Sequence, residues 1–200
     1  MKAATAPMPD MAPEMDLDVP PPPSALDRVQ AWLTASGFVV PALTDLDESM
    51  LPEPVRRLLA HTGGMTAALE AHWAEPMGLE VLSTQQAGDR VSRAVLLRGG
   101  YSGVAAEIGL IAIELAPLPE PLRGQVAQGT VPFGALLARS GIAFRSEPDL
   151  YMMLQADLPL ALLLDVPQGT RLHARHTVLT ATDGTRLAEA VEILTSRVPG

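Results

Sequence analysis

Residues 171–195 read RLHARHTVLTATDGTRLAEAVEILT. Two β-prone runs, Arg171–Thr182 and Thr185–Thr195, flank Asp183-Gly184. An Asp-Gly pair favours the tight turn of a β-hairpin, because glycine adopts positive φ without steric cost. Side chains alternate along a strand, so Ala188, Ala190, Glu192 and Leu194 share one face, while Leu187, Glu189, Val191 and Ile193 share the other. In the preceding strand His173 and Arg175 fall together and His176 falls opposite. The chain therefore closes on two adjacent antiparallel strands.

Moving toward the N-terminus, partial alternation appears in Arg90–Arg98, and the nearly continuous, Ile-rich apolar run Val104–Leu115 has the length of its hairpin partner, with Gly99-Gly100 and Gly103 marking a turn between them. Shorter strands are predicted at Leu79–Leu82, Ile142–Arg145 and Tyr151–Leu154, while residues 158–164 fit strand or helix. The opening is helical. Ser24 is a candidate N-cap, followed by Leu26, Val29, Trp32 and Leu33 at helical spacing, with Gly37 as the stop. Further helices are predicted at Glu53–His61, Met65–Ala74, around Leu122–Gln128, and at Phe133–Ser140 after Pro132. The helices are segregated from the strands, and the strands are joined by short turns. This is the pattern of an α+β fold with a single antiparallel sheet.

Residues 1–23 hold seven prolines and end in Pro20-Pro21-Pro22-Pro23. Such a composition cannot bury a core, so these residues are expected to form a disordered tail before one domain over residues 24–200. The chain carries a net charge of −9, which disfavours nucleic acid and anionic membranes as partners. No apolar run reaches the roughly 18 residues that cross a bilayer, and the proline-broken N-terminus has no signal-peptide core, so a cytoplasmic protein is expected. Cysteine is absent, which excludes thiol catalysis and zinc–thiolate sites. The sequence leaves the oligomeric state open, a monomer included.

Two residues stand out chemically. Arg93 shares a strand face with Val91, Val95 and Leu97, where a charge needs a partner; its planar fork suits a carboxylate or phosphate. Glu192 lies among small residues, where a carboxyl can face a cavity and carry a proton. Either can equally be structural, as an ion pair or a solvated strand face. His173 and His176 point to opposite faces and make a poor chelate, so no metal is expected.

The order of motifs resembles the chorismate pyruvate-lyase family over about residues 50–196. It rests on Met65-Thr66 with Leu69-Glu70, Ser92-Arg93-Ala94-Val95-Leu96-Leu97, Leu118-Pro119, Pro132-Phe133-Gly134, Arg175, and Asp183-Gly184 with Leu187-Ala188-Glu189 and Glu192-Ile193-Leu194. The resemblance implies an antiparallel sheet whose helices cover an internal ligand cavity. It also implies a cofactor-free lyase that splits chorismate into 4-hydroxybenzoate and pyruvate. By position, Glu192 would be the proton-transferring catalytic residue. Arg93, the Met65 amide, Phe133, Arg175 and the backbone of Gly109 would bind substrate. The chain departs from the family at Ala174 and His176, which replace a glycine and a second arginine, and at Phe133, where the family has leucine. The alternative from another class is a non-catalytic module of the same fold, binding a small carboxylate as effector domains do. It keeps the Arg93 clamp and has no need of Glu192.

Overall fold

The computed structural model describes residues 22–197. All but the last two residues of the predicted tail, 1–23, lie outside the described residues. The chain runs α1 (Ala25–Ala35), β1 (Thr44–Leu46), α2 (Glu53–Leu59), α3 (Met65–Trp73), β2 (Met77–Ala87), β3 (Arg90–Gly99), β4 (Ala105–Glu114), α4 (Glu120–Gln128), α5 (Phe133–Arg139), β5 (Phe144–Gln155), α6 (Leu158–Leu164), β6 (Arg171–Ala181) and β7 (Arg186–Leu194). The strands form one antiparallel seven-stranded sheet in the order β1-β5-β6-β7-β4-β3-β2. The α+β class with a single antiparallel sheet is as the sequence predicts.

Both faces of the sheet are covered, so the central strands carry apolar residues on both sides. On one face α1 and α6 pack Val29, Leu33, Leu160 and Leu164 against Leu96, Ile108, Met152, Ala174, Val191 and Ile193. On the other face α2 and α3 set Leu58, Leu59, Met65 and Leu69 over Leu97, Ala106 and Leu194. Beside them α4 and α5 set Leu122, Val126, Phe133 and Leu137 over Val91, Ile113 and Leu179. These two helix pairs leave a cavity between themselves and the sheet.

Local chemistry fixes several boundaries. The Ser24 hydroxyl accepts from the Asp27 amide while the Asp27 carboxylate accepts from the Ser24 amide, a capping box that starts α1. In the closing hairpin the Ala181 amide donates to Thr185 and the Gly184 amide donates to Ala181. Gly184 takes φ +85°, the left-handed position that a three-residue hairpin loop requires.

The short edge strand β1 is an element that the sequence does not announce, and the structure departs from the expected elements in three further places. The two strands expected at Ile142–Arg145 and Tyr151–Leu154 are parts of one strand, β5, which begins at Phe144. Pro148 sits beyond the reach of the short β1, which pairs only at Tyr151–Met153, and a bulge follows it. A proline amide is tolerated there because no neighbour asks for it. β2 is an edge strand and runs past Leu82 through Ser83, Thr84, Gln85 and Gln86, polar residues that face solvent. Residues 158–164 are helical because the Asp157 carboxylate caps the Leu160 amide and Pro159 sits in the first turn, where its missing N–H costs nothing.

Leu96 is fully buried at the centre of the α1–α6 face, whereas Leu162 on α6 is 73% exposed. Leu96→Ala is expected to cost about 2–5 kcal/mol in urea unfolding, through lost burial and a cavity. Leu162→Ala is expected to stay within about 0.5 kcal/mol.

Candidate functional site

The cavity measures about 590 Å³, within the range of small-molecule pockets. Its floor is the sheet, its roof the N-terminal turn of α3 and the α5 segment, and its walls are largely apolar: Val95, Ile111, Ile113, Phe133, Phe144 and Leu179. Five of the six sequence-predicted site residues line it: Arg93, Met65, Phe133, Gly109 and Glu192. The sixth, Arg175, lies on the same face of the sheet beside Glu192, but it is covered by the end of α2 and has no exposed surface.

Arg93 is 3% exposed. Its Nη2 donates to the carbonyl of Val126, and Gly129 closes α4 behind it in the left-handed conformation. A Cβ on Gly129 would lie 3.2 Å from Nη1 of Arg93, so only glycine lets the guanidinium sit there without strain or displacement. The C-terminal end of a helix, with its unsatisfied carbonyls, is a favourable seat for a cation. It is only a partial one. Among the described residues no carboxylate pairs with Arg93, and its Nε has no hydrogen-bond partner. Burial lowers its pKa below the ordinary arginine value, with no neighbouring anion to offset it.

In the roof of the cavity α3 begins at Met65 with Gly64 as N-cap and no side chain capping it. The first-turn amides of a helix have no intrahelical acceptor, and here Gly64, Met65, Thr66 and Ala67 all line the cavity. The Met65 amide thus stands where the sequence places it, at an uncapped helix start on the site.

The other end of the cavity is acidic. Glu192 of β7 pairs with Gly109 of β4 on one side and with Arg175 of β6 on the other. Arg175 Nε donates to Glu192 Oε2 at 2.5 Å, and its Nη1 donates to the carbonyls of Leu59 and His61 at 2.8 Å each. Arg175 therefore holds Glu192 in place and ties the end of α2 to the sheet, and it does not reach the ligand space. Gly109 pairs with Val95 and Glu192 in the middle of the sheet, so its backbone is occupied and its contribution is the missing side chain. A Cβ there would meet Val95 Cγ2 at 3.1 Å and Glu107 Oε1 at 3.2 Å.

Glu107 is the functional candidate that sequence reasoning missed. It is 2% exposed, lines the cavity, and its Oε2 has no partner. Burial first and the Glu192 charge second push its pKa well above the glutamate range, only partly offset by Arg175. The signal was present: an acid inside the apolar run Val104–Leu115, two residues before Gly109 and on the same face. The neighbouring His61 is driven the other way, down to about 4, by burial and by the Arg175 charge.

No family model matches the sequence, and no curated protein matches it. Solved structures do. PhnF from Mycobacterium smegmatis aligns at 16% identity and TM-score 0.54, over 69% of this chain and 66% of that one. A structure of the effector domain of PhnF from the same organism aligns at 14% identity and TM-score 0.51, over 67% of this chain and 89% of that one. The fold is that of the PhnF effector domain. This chain spans about two thirds of the PhnF chain, and the likeness falls on its effector domain. These matches overturn the expectation of a lyase: the architecture read as an enzyme's is that of an effector domain. The site agrees physically, since Glu192, the expected proton carrier, is committed to Arg175. Among the described residues no cluster of His, Asp or Glu could hold a metal, and no helix is long and apolar enough to cross a membrane.

Two outcomes follow from the buried charges. Arg175→Leu leaves Glu192 unpaired beside the cavity and two carbonyls without a donor, so it should cost about 3–5 kcal/mol in urea unfolding. Glu107 binds its proton more tightly in the native state than in the unfolded state, so its contribution to stability falls as pH rises above the ordinary glutamate range. His61 binds its proton less tightly in the native state, so its contribution is lost as pH falls from 6.5 to about 4. Unfolding of Glu107→Gln across pH 5–8 should therefore show the variant gaining on the wild type as pH rises. A constant difference would contradict the assignment.

Proposed function

We propose that this chain is a non-catalytic binding module for a small carboxylate-bearing molecule, which it takes into the cavity between the sheet and helices α3 and α5. One observation carries the reading. Arg93 is a buried arginine in the cavity wall with no carboxylate partner, and an uncapped helix start faces the same space. An unpaired buried guanidinium is costly unless something anionic completes it. A ligand carboxylate would accept from the Arg93 fork and from the Met65 and Thr66 amides, and its apolar body would lie against Ile111, Phe133 and Phe144. The fold shared with the PhnF effector domain supports a role in which occupancy of the cavity is the signal. Residues 24–200 would act as the binding unit. The net charge of −9 does not oppose an anionic ligand, because the arginine field is local to the cavity.

Calorimetry with 4-methylbenzoate, an aromatic carboxylate with no second polar group, tests the reading. The wild type should bind it, and Arg93→Ala should weaken binding by about 2–5 kcal/mol, at least ~30-fold. Arg93→Lys should also bind poorly, because an ammonium cannot reproduce the two-pronged contact. Unchanged affinity in Arg93→Ala, with the variant folded, would refute the assignment.

A further inference from the structure

The cavity has two poles of opposite charge. Arg93 stands on β3, paired with Ile111, which pairs with Ala190; Glu192 lies two residues further along β7. Two strand spacings and a two-residue rise put the Arg93 and Glu192 backbones about 12 Å apart. Glu107, four residues along β4 from Ile111, lies about 14 Å from Arg93 by the same geometry. Between the poles the floor is Gly109, Ile111 and Ala190, without polar side chains.

At the acidic pole the carboxyl groups are not equally partnered. Glu107 and Glu192 share one cation, Arg175, and Arg175 is bonded to Glu192. Glu70 of α3 also lines the cavity, and its carboxylate accepts from the Met77 amide. The titratable and charged groups around Glu107 are thus Glu192 on β7, Arg175 on β6, Glu70 on α3, His61 after α2, and Arg93 and Arg139 among the cavity-lining residues. Every acid but Glu107 has a hydrogen-bond donor: Arg175 for Glu192, the Met77 amide for Glu70.

Resting on the binding reading above, we infer that the ligand is zwitterionic: its carboxylate meets Arg93 and the α3 start, and a cationic group, an ammonium or amidinium, meets Glu107 and Glu192. An ammonium carries several donors and supplies the missing charge beside two carboxylates. Without ligand, Glu107 keeps its proton because burial and Glu192 both oppose its ionisation. When the cation arrives, Glu107 gives that proton to solvent and becomes the counter-ion. Atoms and charges balance: one proton leaves the protein for each cation bound. Gly109 leaves room for the carboxyl group of Glu107 over the floor, since a Cβ would press on Oε1.

The test compares 4-(aminomethyl)benzoate with 4-methylbenzoate on the full chain, by calorimetry between pH 6 and pH 8. The amine should bind at least ~10-fold tighter than the methyl probe, as a charge-assisted contact in a desolvated site provides. Its affinity should rise with pH, and its heat should vary with buffer ionisation enthalpy in the sense of proton release. Glu107→Gln should bring the two affinities together. Equal or weaker binding of the amine to the wild type, or no proton release, overturns the cation pole while leaving the Arg93 site standing. A preference for the amine that survives in Glu107→Gln overturns it too. Failure of both probes overturns both readings. Proton release is read on the wild type, so the test holds even if Glu107→Gln does not fold.

Discussion

Arg175 is the interaction on which the site depends. It is fully buried on the inner face of β6, and one side chain joins β6, β7 and the segment after α2 through Glu192, Leu59 and His61. Those carbonyls belong to the end of α2 and the connection into α3. By fixing them, Arg175 sets where α3 begins and which amides its first turn offers to the cavity. A buried guanidinium demands many partners, because its desolvation is repaid only as its donors are met; here Nε and Nη1 are bonded and Nη2 is not. The cavity is therefore built around a polar network that cannot relax without disturbing strands and helices together.

Arg93 makes the contrast. It has the same charge and similar burial, but its surroundings complete it only in part: one helix-end carbonyl and the space over Gly129. One arginine is structural because the fold supplies its counter-charge. The other is left open to the cavity because the fold does not. Glu107 repeats the distinction among the acids, with Glu192 satisfied by Arg175 and Glu107 left without a partner. In each pair the member without an ion-pair partner, Arg93 or Glu107, lines the cavity, and this asymmetry gives the cavity its two poles.

Much of this was legible in the sequence. The Asp183-Gly184 hairpin, the Ser24 cap and the alternation in Arg90–Arg98 gave the sheet and the helical opening, and alternation put Glu192 opposite Glu189 as found. Glu189 lies on the far face, bonded to His176 Nε2 at 2.8 Å. What was hidden has physical reasons. The second half of edge strand β2, from Ser83 on, carries no apolar stripe because it is exposed to water. Pro148 split β5 in the reading because tolerance of a proline depends on how far β1 extends, which no local pattern records. Glu107 vanished into an Ile-rich run. Arg175 looked like a ligand contact because its partners Leu59 and His61 lie more than a hundred residues away in sequence. The resemblance to a lyase family was carried by residues that build the sheet and cavity, and an architecture can be shared without its chemistry.

The proposed ligand carboxylate is held by Arg93 and the start of α3. A crystal structure of the chain with 4-methylbenzoate tests it most directly. The account predicts the carboxylate within about 2.7–3.1 Å of the Arg93 guanidinium and of the Met65 amide, with the ring against Ile111 and Phe133. A cavity left empty at saturating probe, or a ring seated with its carboxylate away from Arg93, would contradict it.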